Sequence, residues 1–396
     1  MIKLSKLYKL AFGIIVILCF LMGGSIQFFI GIPNIVYSLG VLSFLLVIYI
    51  LYISVKKKVL LDRVVALFIL LFFFIIISAI YNSTAVIKTL IYLIFVLVPL
   101  SCYLFFHINN KEEYLPKATI SKLFLIIALV QLPVMLIQNY GYDFIIDFNR
   151  SNQSIAPFDF MFGTFFLKAD HALGFFLLFN IINIYTRTKA ASISSKLIIL
   201  YLVLTIFFGE SNVSKLLVLI FILYMVYTIV PKKIRIIGLV ALVFLIPISL
   251  VQLNKIKAFE TEVYFIKNQY NIKTSFRNYE IGIAKRPQVV ISYATKIPLK
   301  FIGDGPYSYF DIIKGKFALT KHFSQLIWVY ADIGLFGLTL LILILYILTL
   351  NLGLSITLRF LVFSFILVYA FMTTILSDLV IMITFMSLLK NKRRTL

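Results

Sequence analysis

Arg277, Glu280, Lys285 and Arg286 stand close together in the segment TSFRNYEIGIAKRPQVV of an otherwise apolar chain. A helix there would put Arg277 and Glu280 on one face. A guanidinium can grip two phosphate oxygens at once and stays charged beside lipid, so Arg277 and Arg286 are candidates for holding a phosphate. The plainer reading is an exposed ion pair of little energy. Further on, GDGPYSYF sets Gly303 and Gly305 around Asp304, ahead of Pro306 and Tyr307. Such a turn permits positive φ and close backbone approach. It follows no strand and lacks the Lys-Ser/Thr ending of a phosphate loop, so it gives no ground for nucleotide binding.

Next in the chain is His322, a group that can accept a proton near neutral pH. A helix continuing from it would hold His322, Gln325, Val329 and Asp332 within an arc of about 80°. That stripe would descend from the loop, with Asp332 about 15 Å below the start. A carboxylate at such a depth faces a cavity or pairs with a neighbouring helix. Two further polar interruptions occur. FFGESNVSK carries Glu210, Ser214 and Lys215, and FGTFFLKADHALGFF carries Asp170 and His171. A tight hairpin accounts for the serines of the first, and Asp170 could serve simply as a helix N-cap.

The elements that must position these groups are membrane helices. The 396 residues are 62% hydrophobic, 16% aromatic and 13% charged, and the apolar residues come in runs of about twenty, the length that crosses a bilayer. A soluble domain is excluded. Spans are expected at 9–30, 33–54, 62–81, 88–106, 120–138, 170–185, 195–209, 213–230, 234–252, 323–348, 357–373 and 376–389, about twelve in all. The first run is too long for a signal-peptide core and is read as an uncleaved helix. Cys19 and Cys102 both lie in apolar runs and suggest no disulfide or metal framework. With the N-terminus in the cytoplasm, short inner loops and tails hold twenty-one Lys or Arg against four outside. Both termini are then cytoplasmic and two outer segments result, 139–169 and 253–322. The chain divides into helices with the first outer loop over 1–252, a large extracytoplasmic loop over 253–322, and closing helices with a basic tail over 323–396.

That large loop holds twelve Lys or Arg against five Asp or Glu, about +7, on the side where topology signals place few cations. A lipid headgroup, a diphosphate or an acidic glycan would match it; a solvated basic loop beside anionic lipid is the plainer reading. Nucleic acid is not expected.

Taken in order, these segments resemble the O-antigen polymerase and ligase family of bacterial membrane glycosyltransferases. The resemblance rests on Gly163, Thr164 and Phe165 with Asp170 and His171; on Ser214 and Lys215 in place of a Ser-Arg hairpin; and on Arg277 ahead of Pro298, Leu299, Gly303 and Gly305. It closes with His322, Phe323, Asp332, Gly334 and Gly337. Lys215 lacks the fork of an arginine, and Phe323 stands where the family has an asparagine. The resemblance implies an all-α polytopic bundle of the GT-C-like kind in the bacterial cytoplasmic (inner) membrane, with its active loops extracytoplasmic. It implies transfer of a glycan from polyprenyl diphosphate to a carrier-linked acceptor; no cofactor is expected, and no Asp-x-Asp pair or ligand cluster in the sequence demands a metal. The implied partners are the glycan donor and acceptor, the bilayer, a chain-length regulator and a flippase.

On that reading Arg277, with Arg286 or Lys215, meets the charge of the departing diphosphate. His322 is the first candidate for general base, with Glu280 and Asp304 behind it. Gly303, Gly305, Tyr307, Gln325, Asp332, Asp170 and His171 are candidates for binding substrate. Two other readings stay open: a ligase, whose site in this family is nearly the same, and a polysaccharide flippase. Against the flippase stand the absence of a repeat between halves and the gathering of charge at the outer rim.

Overall fold

The computed structural model describes residues 4–151, 155, 160–188, 192–209, 211–231, 299–309 and 324–389. Among these residues every regular element is helical. The helices are α1 (Leu4–Ile30), α2 (Asn34–Lys56), α3 (Arg63–Tyr81), α4 (Val86–Glu112), α5 (Lys117–Tyr140), α6 (Gly174–Thr188), α7 (Ile193–Phe208), α8 (Asn212–Ile229), α9 (Gln325–Leu350), α10 (Ile356–Met372) and α11 (Leu379–Ser387). Seven of them, α1 to α5 with α8 and α9, are long and apolar enough to cross a membrane, and α7 and α10 are shorter apolar helices. Ile50, Phe73, Leu197 and Leu223 are each more than half exposed, the outer surface of a bundle whose solvent is hydrocarbon.

Most expected spans coincide with these helices. The exceptions have physical causes. The run at 376–389 contains Asp378, whose carboxylate accepts from Val380 N and Ile381 N and so starts a new helix, the nine-residue α11. At ~1.5 Å per residue α11 is too short to cross alone. The span expected at 234–252 lies outside the described residues, and the helices at the spans expected at 170–185, 195–209 and 357–373 are only 15, 16 and 17 residues long, which leaves, of the expected twelve, seven helices of spanning length among the described residues, α9 with a break inside it.

In lipid every backbone group freed by an irregularity needs a partner, and the fold supplies them. Pro133 within α5 leaves the carbonyl of Leu129 without its helical donor, and the Tyr201 hydroxyl of α7 donates to it at 2.7 Å. A π turn at Ile17–Met22 loosens α1, and Phe20 O accepts from Thr164 Oγ1 at 2.6 Å.

The turns gather at two ends of the bundle. One, the loop end, joins Phe28 O to Arg150 N at 2.7 Å and Gly303 O to Asn82 Nδ2 at 3.2 Å. The other, the basic end, pairs Lys56 with Glu112 at 2.7 Å and ties Arg187 to the carbonyl of Lys117.

The helix α9 is broken. Gly334 has φ 79° and ψ −165°, values no helix contains. Gln325 lines a small cavity with Leu71 midway along α3, whereas the carbonyl of Asp332 accepts from Ser78 one turn from the end of α3. After the break Phe336 stacks on Phe74, further back along α3. The first arm, 325–333, therefore runs toward the loop end, and the second, 335–350, returns. Asp332 consequently sits beside the loop at 299–309, and the stripe expected to descend with it instead rises. A glycine in the left-handed region is what reverses the chain.

Candidate functional site

The loop 299–309 is seated on the break in α9. Its backbone pairs with the residues flanking Gly334: Asp304 N donates to Ala331 O at 2.8 Å, Gly305 N to Asp332 O at 3.0 Å, and Leu335 N to Lys300 O at 2.9 Å. Gly303 has φ 81°, and a methyl group there would lie 2.5 Å from Gly334 N, so two glycines are required for the crossing. Ser78 Oγ of α3 lies 3.0 Å from Ile302 O and 2.8 Å from Asp332 O, its one proton shared between them, and Asn82, the residue after α3, donates from Nδ2 to Gly303 O.

Asp332 is the centre of this arrangement. It is fully buried, and its carboxylate accepts from Tyr307 N at 3.1 Å, Ser308 Oγ at 2.7 Å and Tyr309 N at 2.8 Å. Three donors from three successive residues bend the chain around one side chain. They hold Tyr307 at φ 73°, an unfavourable value for a residue with a Cβ. The carboxylate is thereby turned toward its own loop. Asp304, half-exposed, forms an ion pair with Lys300, and Tyr307 stacks on Phe95 at 6.3 Å between ring centroids.

A second polar cluster lies across the same bundle. Gly163 and Thr164 are held by amides of α5. Gln138 Oε1 accepts from Phe162 N and Gly163 N, its Nε2 donates to Gly163 O, and Gln131 Oε1 accepts from Thr164 N. Beyond a 3-10 turn at Gly163–Lys168 and a π turn at Ala169–Leu173 the chain enters α6. His171 Nδ1 lies 3.2 Å from Ser211 Oγ. Ser214 Oγ donates to Ser211 Oγ at 2.8 Å and lies 2.6 Å from the Tyr369 hydroxyl. Thr373 N bonds the carbonyl of Tyr369, and Thr373 O takes the N–H of Gln325, whose own amide oxygen accepts from Leu376 N. A line of polar groups thus runs from His171 to the first arm of α9.

The structure brings Gly303, Asp304, Gly305, Tyr307 and Asp332 together, and places Gln325 and His171 at opposite ends of that line. Lys215 is half-buried in the first turn of α8, next to Ser214. Arg277, Glu280, Arg286, Glu210 and His322 lie outside the described residues, as does the side chain of Asp170. Sequence reasoning missed Ser78 and Asn82, Gln131 and Gln138, and Tyr369. For the first two pairs a signal existed: polar side chains one or two turns apart inside apolar runs share a helix face. Tyr369 sits among aromatic neighbours and carries no such mark.

At the basic end Asp62 caps α3 through Val64 N and Val65 N, and its other oxygen meets the Tyr103 hydroxyl. His107 Nδ1 stands 3.6 Å from that carboxylate.

Comparison of the chain with protein-family models, with curated proteins and with solved structures finds no match. The functional reading therefore rests on motif positions and on where the fold puts them.

Proposed function

We propose that the chain is a membrane glycosyltransferase that polymerises polyprenyl-diphosphate-linked oligosaccharide repeats at the outer face of the bacterial cytoplasmic membrane. One observation carries this reading. The motifs that resemble the polymerase and ligase family lie far apart in the chain, yet each is held by polar contacts within one bundle: Thr164 by Gln131, His171 and Ser214 through Ser211, and the loop after Gly303 by Asp332, while Tyr369 and Thr373 link the second group to Gln325 on the helix arm that carries Asp332. Basic residues in the short loops orient the loop end outward, where lipid-linked repeats would meet it.

In the proposed reaction the acceptor sugar's hydroxyl oxygen attacks the anomeric carbon of the donor glycan. The bond from that carbon to the diphosphate oxygen breaks, and polyprenyl diphosphate leaves with the electron pair. Arg277, with Arg286 or Lys215, stabilises the charge on the departing oxygens. His322 takes the acceptor's proton, with Glu280 and Asp304 as the alternatives. Asp332 acts one step away: it shapes the turn that presents Asp304 and Tyr307.

Deleting the gene in its own host and sizing carrier-linked and surface glycans on a gel tests the proposal. The expected result is a collapse to single repeats, restored by the wild-type chain and not by Arg277→Ala. Long carrier-linked chains that never reach the surface would identify a ligase. Single repeats held on the cytoplasmic side would identify a flippase, and full activity in Arg277→Ala would remove the central assignment.

A further inference from the structure

Hydroxyls from α8 and α10 lie in line with an imidazole at the entry to α6. His171 is in the π turn Ala169–Leu173, Ser211 is the N-cap of α8, Ser214 lies in its first turn, and Tyr369 is in the last turn of α10. Ser214 and Tyr369 are fully buried and Ser211 nearly so. At Gly174 a methyl group would overlap Ser214 Oγ, so the glycine makes room for that hydroxyl. Capping α8 accounts for Ser211, whose side chain accepts from Ser214 N. The cap requires neither the Ser214 hydroxyl nor the Tyr369 hydroxyl, and burying those two costs energy that only hydrogen bonding offsets.

The protons in this line have one direction. A hydroxyl has one proton to give and two lone pairs with which to receive. Ser214 Oγ gives its proton to Ser211 Oγ at 2.8 Å, so in the 2.6 Å contact between Ser214 and Tyr369 the phenol is the donor. Ser211 Oγ also receives from Ser214 N at 3.2 Å, and both of its lone pairs are then filled. Its own proton therefore goes to His171 Nδ1, 3.2 Å away. A ring whose Nδ1 accepts carries its proton on Nε2.

We propose that Tyr369 is a positioning residue that, through Ser214 and Ser211, fixes His171 with its proton on Nε2 and so excludes it as the base of the reaction. Held in this way, His171 can donate from Nε2 but cannot take a proton there, and Nδ1 is already occupied by Ser211. Removal of the acceptor's proton is left to His322. The tautomer follows from the hydrogen bonds alone, whereas the division of labour between the two histidines rests on the proposed glycosyl transfer.

The full chain has three histidines, so ring-nitrogen NMR of histidine-labelled protein in detergent can be assigned, the signals lost in His171→Gln being those of His171. The wild type should show His171 in one form, protonated at Nε2. Tyr369→Phe removes the donor to Ser214 and frees the two serines to reverse, so the form protonated at Nδ1 should appear; Ser214→Ala should bring it in as well. A merely structural Tyr369 would change the melting temperature and leave the tautomer unmoved. Protonation at Nδ1 in the wild type, or an unmoved tautomer in both variants, overturns the positioning role. The division of labour is measured apart, in the deletion host. His171→Gln keeps a side-chain N–H and cannot take a proton; it should lower the amount of long-chain glycan roughly tenfold, the loss of one oriented hydrogen bond, while His322→Gln should abolish it. Loss of all long chains in His171→Gln overturns the exclusion of His171 as base. A gene deletion without effect on glycan length would remove the glycosyltransferase reading and leave the tautomer result standing.

Discussion

The two ends of the bundle handle polarity in opposite ways. At the loop end, polar side chains are spent on irregular backbone: Asp332 holds three donors of one turn, Gln138 makes three bonds around Gly163, and Ser78 bridges two carbonyls. At the basic end, charges sit at regular helix termini and meet side chains or single carbonyls, as in Lys56 with Glu112 and Arg187 with Lys117 O. Irregular backbone at membrane depth is tolerated only where protein satisfies it. The loop end therefore carries shape that must be held in place, whereas the basic end carries charge set at the ends of regular helices.

The largest expected effect comes from removing the carboxylate at the centre of the loop end. Asp332→Ala removes the buried acceptor shared by Tyr307 N, Ser308 Oγ and Tyr309 N, and should cost about 3–5 kcal/mol in detergent melts along with all transferase activity. A variant that melts like the wild type would break the contrast. Gly334→Ala forces a Cβ into the left-handed region against the backbone of Phe301. It should cost about 1–3 kcal/mol and shift the loop, measured by melting and by labelling of a cysteine placed at the exposed Leu299.

Gln138→Leu removes the amide clasp on Gly163, for an expected loss of about 2 kcal/mol. If it were silent, the second cluster would be packing alone, and the comparison would narrow to the turn at Asp332. At the other end Lys56→Met should leave the melting temperature unchanged, since exposed pairs contribute little. A measurable drop there would show that the basic end is also held by its charges.

Much of the bundle was legible beforehand. Apolar runs near twenty residues long mark α1 to α5 without any tertiary information, because a chain in lipid has no other way to satisfy its backbone. Prediction failed where a single residue reset the local backbone. Asp378 reads as a polar dot in an apolar run, and its carboxylate splits that run by capping α11. Gly334 reads as one glycine in a long helix, and it turns the chain back.

For the site the division is similar. Gly303, Asp304, Gly305 and Asp332 were visible as polar or flexible residues in unexpected places. That Asp332 faces its own loop followed from a reversal that helical periodicity cannot express. His171 was visible as a lone imidazole opening a helix. Its neighbours Ser211, Ser214 and Tyr369 come from three different elements, and their meeting depends on how α6, α8 and α10 pack.

The amino-acid sequence by itself determined that the chain is helical, that it belongs in a membrane, and where its long apolar runs lie. Those outcomes follow from composition and period, which act residue by residue along the chain. Only the tertiary structure decided which polar groups meet, that α9 folds back at Gly334, and that Asp332 clasps its own loop. The reason is that hydrogen bonds join residues distant in the chain, and their partners are selected by packing rather than by order.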